Sequence, residues 1–154
     1  MTIYTMGNIV WSFFYRDLEE ASASGDLASV KRFLEKGSHQ RSTNIDFALW
    51  AASKKGHLDI VKILVEKCSD KVCLELAMMF AAYEGHGNVV SFLLETGAEK
   101  YNFALDGAAC GGHMNIVELM LEQGANNYQE AYDRTEDKDI KTLMLAYMGK
   151  KTKI

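Results

Sequence analysis

"AACGGHMNIVELMLEQGANNY", from Ala108 to Tyr128, places a cysteine, two glycines and a histidine side by side at Cys110 to His113. Such a cluster invites a chemical reading. Paired glycines let backbone approach a phosphate, and a cysteine beside a histidine is a nucleophile or a metal-ligand pair in outline. The stretch, however, has sisters. Ala108–Asn126 aligns without a gap on "AAYEGHGNVVSFLLETGAE" at Ala81–Glu99 and on "ASKKGHLDIVKILVEKCSD" at Ala52–Asp70. A weaker copy, "ASASGDLASVKRFLEKGSH", lies at Ala21–His39, and a decayed fifth runs from Tyr128 to Met148, where Ile140–Met144 echoes Ile116–Met120. A glycine stands at Gly25, Gly56, Gly85 and Gly112, and twelve residues after each comes Gly37, Cys68, Gly97 or Gly124. Repetition at this period is the mark of a stacked repeat architecture.

Each copy reads as two short antiparallel helices. The first is alanine-rich, as in Asp46–Lys55 and Asn102–Cys110, and its small side chains let neighbouring helices come close. The glycine that follows suits the left-handed conformation just beyond a helix C-terminus. The second helix carries Ile60, Val61, Ile63, Leu64 and Val65, or Ile116, Val117, Leu119, Met120 and Leu121. That apolar band is too wide for one buried stripe and fits a helix packed between two neighbours. A lone pair cannot bury such faces, so the copies must stack into an all-α solenoid.

With these residues in view, the chain resembles the ankyrin repeat family, whose core pattern "AAxxGHxxIVxLLLxxGA" it follows from about Asp17 to Met148. The repeat of that family spans about 33 residues and carries a Thr-Pro-Leu-His turn. Here the glycine-to-glycine steps are 31, 29 and 27, and the chain has no proline. Phe47-Ala48-Leu49-Trp50 and Phe103-Ala104-Leu105-Asp106 stand near the turn positions. The shortening falls where ankyrin units carry β-hairpins, so the resemblance implies a helical-hairpin solenoid with reduced or absent hairpins. The expected organisation is a capping segment over 1–16, repeats over 17–39, 46–70, 75–99, 102–126 and 128–148, and a basic tail over 149–154. The connectors "GAEKYNFAL" and "GANNYQEAY" are similar to those of ankyrin-like arrays in large DNA viruses that infect amoebae.

Composition narrows the function classes. A net charge of −4 argues against nucleic acid, whose phosphates favour a clustered basic surface. Cys68, Cys73 and Cys110 are odd in number and form no C-x-x-C motif, which reads as an intracellular chain without a disulfide framework. The apolar run Ile9–Phe14 is far too short to span a bilayer, so no membrane partner is expected. The aromatic stretch Tyr4–Tyr15 reads as a cap folded over the first repeat, with docking or self-assembly as the alternative.

The reactive-looking residues resolve into scaffold. His57, His86 and His113 share one repeat position, and equivalent positions in stacked helices sit about 8–10 Å apart, too far to share one ion. Each imidazole is expected to hydrogen-bond backbone at the turn and to seat its helix against the next unit. Gly111-Gly112 lacks the flanking residues of a phosphate loop. Gly112 recurs as a helix stop, while Gly111 replaces Glu84 and Lys55 at a position read as free to vary. Cys110 aligns with Tyr83 and Lys54 and finds no third orienting group, so no catalytic residue, metal site or cofactor is expected.

Function is then expected on the positions that differ between copies. One column reads Trp50, Met79 and Asp106; the next holds Lys54, Tyr83 and Cys110; a third holds Lys55, Glu84 and Gly111; and Asp46, Glu75 and Asn102 precede the first helices. The resemblance places these on a concave face. A non-catalytic module that binds a partner protein there, as a monomer, is the reading that follows, with a viral protein engaging a host factor in the host cytoplasm or nucleus as its sharper form. Trp50 and Met79 have two roles open to them, anchoring a partner or filling space left by missing hairpins.

Overall fold

The computed structural model describes residues 18–35, 42–68 and 70–151. The expected N-terminal cap over 1–16, and Gly37 with His39, lie outside the described residues. Ten helices follow one another among those that are described: α1 (18–24), α2 (Leu27–Glu35), α3 (Ser42–Lys55), α4 (Leu58–Val65), α5 (Lys71–Glu84), α6 (Gly87–Glu95), α7 (Tyr101–Gly111), α8 (Met114–Glu122), α9 (Tyr128–Arg134) and α10 (Lys138–Lys151). Among the described residues no strand lies between them. They pair as hairpins, and the hairpins stack into a solenoid.

The pairing follows from a two-residue corner. Gly85 has φ +84° and Gly112 φ +76°, a conformation that an L side chain rarely adopts. The next amide then folds back onto the helix just finished: His57 N–H donates to Ala52 O at 3.0 Å, His86 N–H to Ala81 O at 2.9 Å and His113 N–H to Ala108 O at 2.9 Å. This six-residue closure satisfies carbonyls that the helix end leaves open. The histidine carbonyl in turn accepts from the following helix, as His57 O does from Ile60 N and Val61 N, both at 3.0 Å. The reversal from one helix to the next therefore needs only Gly and His.

Packing divides the helices into two layers. Ala48, Leu49 and Ala52 of α3, Ala77, Met78, Ala81 and Ala82 of α5, and Ala104, Leu105, Ala108 and Ala109 of α7 are fully buried. Ile60, Val61 and Leu64 of α4 recur as Val89, Val90 and Leu93 of α6 and as Ile116, Val117 and Met120 of α8, each with 1% exposure or less. Burial of one such side chain contributes about 1.5–3 kcal/mol. The helices α3, α5, α7 and α9 pack closely side by side, whereas α4, α6 and α8 touch one another sparingly. The first helices α3, α5, α7 and α9 therefore form one layer of the stack, and α4, α6 and α8 the other. Helix α10 packs at the C-terminal end of the repeats with Ile140 and Met144 fully buried, and the Tyr128 and Tyr147 rings meet at a tilt, 5.4 Å between centroids. It runs on to Lys151, so residues 149–151 are helical where a tail was expected.

Candidate functional site

The three repeat histidines are structural ties. His57 Nε2 lies 3.1 Å from Ala23 O, His86 Nε2 3.0 Å from Lys54 O and His113 Nε2 3.0 Å from Tyr83 O. A carbonyl only accepts, so each Nε2 carries the proton and donates it. The bond reaches back to the preceding unit, a correction to the expectation that each ring seats its helix against the next one. Each ring also occupies the space where that unit's glycine lacks a side chain: a Cβ on Gly25, Gly56 or Gly85 would come within 2.8 Å of His57, His86 or His113. The glycine thus provides both the left-handed turn and the seat for its neighbour's imidazole.

Gly111 was expected to vary freely, and the structure corrects this. A Cβ there would collide with the carbonyl oxygen of Tyr83, and one on Gly107 would lie 2.8 Å from Met79 O. One turn apart on α7, the two glycines let α7 press backbone against α5.

Along the layer of first helices run two adjoining clefts. One, of about 370 Å³, lies between Phe47, Trp50, Lys54, Lys55 and Phe80. The other, of about 480 Å³, is lined by Lys54, Met79, Phe80, Tyr83, Phe103, Asp106, Cys110 and Arg134. Lys54 and Phe80 belong to both. Three large side chains stand exposed along this groove, Phe47 at 50%, Tyr83 at 44% and Phe103 at 52%. Charge flanks them: Lys54 Nζ is 3.8 Å from the exposed Glu84 carboxylate, and Arg134 Nε is 3.9 Å from Asp106. Cys110 is exposed and free.

The structure therefore brings Trp50, Lys54, Lys55, Met79, Tyr83, Asp106 and Cys110 to one groove, with Glu84 at its edge. The column at Asp46, Glu75 and Asn102 behaves differently. Glu75 is only 9% exposed, so its expected place on the surface is corrected: it turns inward with Cys73, while Lys71 and Val72 before it stay exposed. Asn102 is spent within the stack, accepting from Asn126 N at 2.8 Å, while Asn127 Nδ2 donates to Asn102 O at 3.1 Å and to Asp106 Oδ1 at 2.6 Å. Burial raises the Asp106 carboxyl above its ordinary range, and the nearby Arg134 partly offsets this. Trp50 is half-buried, donates from Nε1 to Cys73 O at 3.1 Å and meets Phe47 edge-on at 5.0 Å, so it packs between units while walling the groove.

Phe47, Phe80, Phe103 and Arg134 are groove residues that sequence reasoning missed. Phe80 sits in the apolar run Leu76–Phe80 and reads as core; its column, Ala51, Phe80 and Gly107, carried the signal, because scaffold positions do not vary so widely in size. Phe47 and Phe103 were read only as turn positions.

A second cluster lies at the seam between α3 and α5. Cys68 and Cys73 meet sulfur to sulfur as a disulfide pair, a correction to the reading of three unpaired cysteines. Cys68 lies just past α4 and Cys73 near the start of α5. Asp46 Oδ1 lies 3.7 Å from Cys68 Sγ. Burial first, and the charge of Asp70 second, raise the Asp46 carboxyl above its ordinary range. No described helix is long and apolar enough to cross a membrane.

Comparison with known proteins agrees with this architecture. Residues 18–104 match the family of ankyrin repeats in three copies, and residues 100–131 match a further single ankyrin repeat. A probable E3 ubiquitin-protein ligase of Oryza sativa subsp. japonica is 34% identical over 85 residues, which cover 50% of this chain and 16% of that protein. An ankyrin repeat and KH domain-containing protein of Caenorhabditis elegans is 29% identical over 106 residues, 58% of this chain and 4% of its own length. This chain spans only a small part of either relative. Its own repeats, matched over most of the described residues and stacked as helical hairpins, place it in the ankyrin repeat family.

Proposed function

We propose that this chain is a non-catalytic module that binds a partner protein in the groove along α3, α5 and α7. The observation that carries the reading is the row Phe47, Tyr83 and Phe103, three exposed aromatics on successive first helices beside two joined clefts. Aromatic anchors flanked by charge are the usual centre of a protein interface. A rigid stack offers them preformed, so little ordering entropy opposes binding. The chain acts as a monomer inside the cell, and the connector likeness to arrays of amoeba-infecting viruses supports a host factor as the partner. Chemistry by Cys110 with His113 finds less support, since His113 Nε2 is committed to Tyr83 O.

The test is affinity capture with the intact chain from lysate of the host cell, followed by measurement of the captured partner against variants. Tyr83→Ala and Phe103→Ala are expected to weaken binding at least about tenfold each. Glu118→Ala, on the outer helix α8, should leave it unchanged. Equal affinity for the groove variants and the intact chain refutes the reading.

A further inference from the structure

Among the described residues, the cluster at the α3–α5 seam has no counterpart elsewhere in the stack. Asp46, Cys68 and Cys73 correspond to Glu75, Gly97 and Lys100 one unit on, and to Asn102, Gly124 and Asn127 in the next. In that last place the seam is closed by amide hydrogen bonds from Asn127 to Asn102 O and Asp106. Between α3 and α5 it is lined instead by two sulfurs and a carboxylate. Cys68 also breaks the glycine rule of its column, and simple drift does not explain why a second cysteine faces it.

We propose that, with both cysteines reduced, Asp46, Cys68 and Cys73 bind a thiophilic divalent cation of the zinc class. Their ligand atoms all lie within 4.8 Å of one another. Tetrahedral zinc, with bonds of about 2.3 Å to sulfur and about 2.1 Å to oxygen, sets a sulfur-to-oxygen separation of about 3.6 Å. Cys68 Sγ and Asp46 Oδ1 stand at 3.7 Å. The α-carbons of the two cysteines are 7.1 Å apart. That is wider than the roughly 4.4–6.8 Å usual for a disulfide and leaves width for an ion between the sulfurs.

The backbone around the site is held by bonds that owe nothing to the sulfurs. Cys68 N–H donates to Leu64 O at 3.0 Å, Trp50 Nε1–H donates to Cys73 O at 3.1 Å, and Asp70 caps α5 by accepting from Val72 N at 3.0 Å. The ligand positions therefore persist when the sulfur–sulfur bond is opened. Both thiols lose their protons to solvent on binding, and the cation offsets the burial and the Asp70 charge that disfavour an ionised Asp46. Three protein ligands leave the fourth position to water. Metal there would tie α3, the α4–α5 connector and α5 into one piece.

The test is cobalt titration of the full chain after reduction with a phosphine, with zinc then used to displace it. The expected result is one equivalent of cobalt, with a thiolate-to-cobalt charge-transfer band and tetrahedral d–d absorption, and loss of both when zinc is added. Cys68→Ser and Asp46→Asn should each weaken binding at least about tenfold, with folding checked by circular dichroism, and Cys110→Ser should leave it unchanged. Zinc should also raise the melting temperature, and a chelator should reverse the shift. Absence of the charge-transfer band in the reduced chain overturns the proposal, as does equal binding by folded Cys68→Ser or dependence of the band on Cys110.

Discussion

At the scale of single residues, Gly85 and His113 form one device made of two parts. The glycine turns the chain through a left-handed conformation, and its missing side chain is the space into which the next unit's imidazole fits. Gly112 takes the same conformation but has open space beside it. Gly112→Ala should therefore cost only the backbone penalty, about 1–2 kcal/mol. Gly85→Ala should cost a further 1–3 kcal/mol or so, because its methyl meets the His113 ring. In denaturant unfolding, His113→Ala placed on Gly85→Ala should recover part of that extra loss; strict additivity would show the ring is no obstacle. Gly111→Ala tests the close approach of α7 to α5, and about 1–3 kcal/mol is expected from its collision with the Tyr83 carbonyl. Sequence comparison reads Gly112 correctly and misreads Gly111, since close backbone approach leaves no mark in a single column.

At the scale of elements, the seam between α7 and α9 is closed by side chains rather than by a hairpin. Asp106 accepts from Asn127, and burial holds its carboxyl above the ordinary value near 3.8. A raised carboxyl means the folded state binds the proton more tightly than the unfolded one. Its contribution to stability therefore declines as pH rises from the unfolded value through the folded one, and is most favourable below both. Asp106→Asn keeps an acceptor for Asn127 and removes the buried charge. It should flatten this part of the pH profile and leave neutral stability within about 0.5 kcal/mol of the intact chain. Asp106→Ala leaves Asn127 Nδ2 only its bond to Asn102 O and should cost about 1 kcal/mol. Urea unfolding at mildly acidic and neutral pH separates the two; an unchanged profile in Asp106→Asn would assign the pH dependence elsewhere. The helices themselves were legible from alanine content, apolar spacing and glycine stops. The seam was not, because Asn102 and Asp106 are 25 and 21 residues from Asn127.

Across the whole molecule, the residues that hold the stack together and those proposed to meet a partner lie apart. The core is a continuous file of alanines and aliphatic residues, whereas Phe47, Tyr83 and Phe103 stay half exposed and add little to it. Truncation of Tyr83 or Phe103 should therefore change unfolding free energy by no more than about 0.5 kcal/mol while weakening partner binding. A large loss of stability in either variant would mean that these rings hold the stack together rather than serve it as contacts.

The repeat phrase alone determined that the chain is a stack of helical hairpins, because a period of paired apolar and glycine positions permits no other burial of those faces. It also determined that His57, His86 and His113 are scaffold, since one role recurs at each copy. Only the tertiary structure decided which variable residues face outward, that Glu75 is buried, that Phe80 joins two clefts, and that Asp46, Cys68 and Cys73 meet. The reason is physical. Periodicity encodes which face of a helix is apolar, but the distance between neighbouring helices depends on every side chain at the contact, and that distance determines what a position can touch.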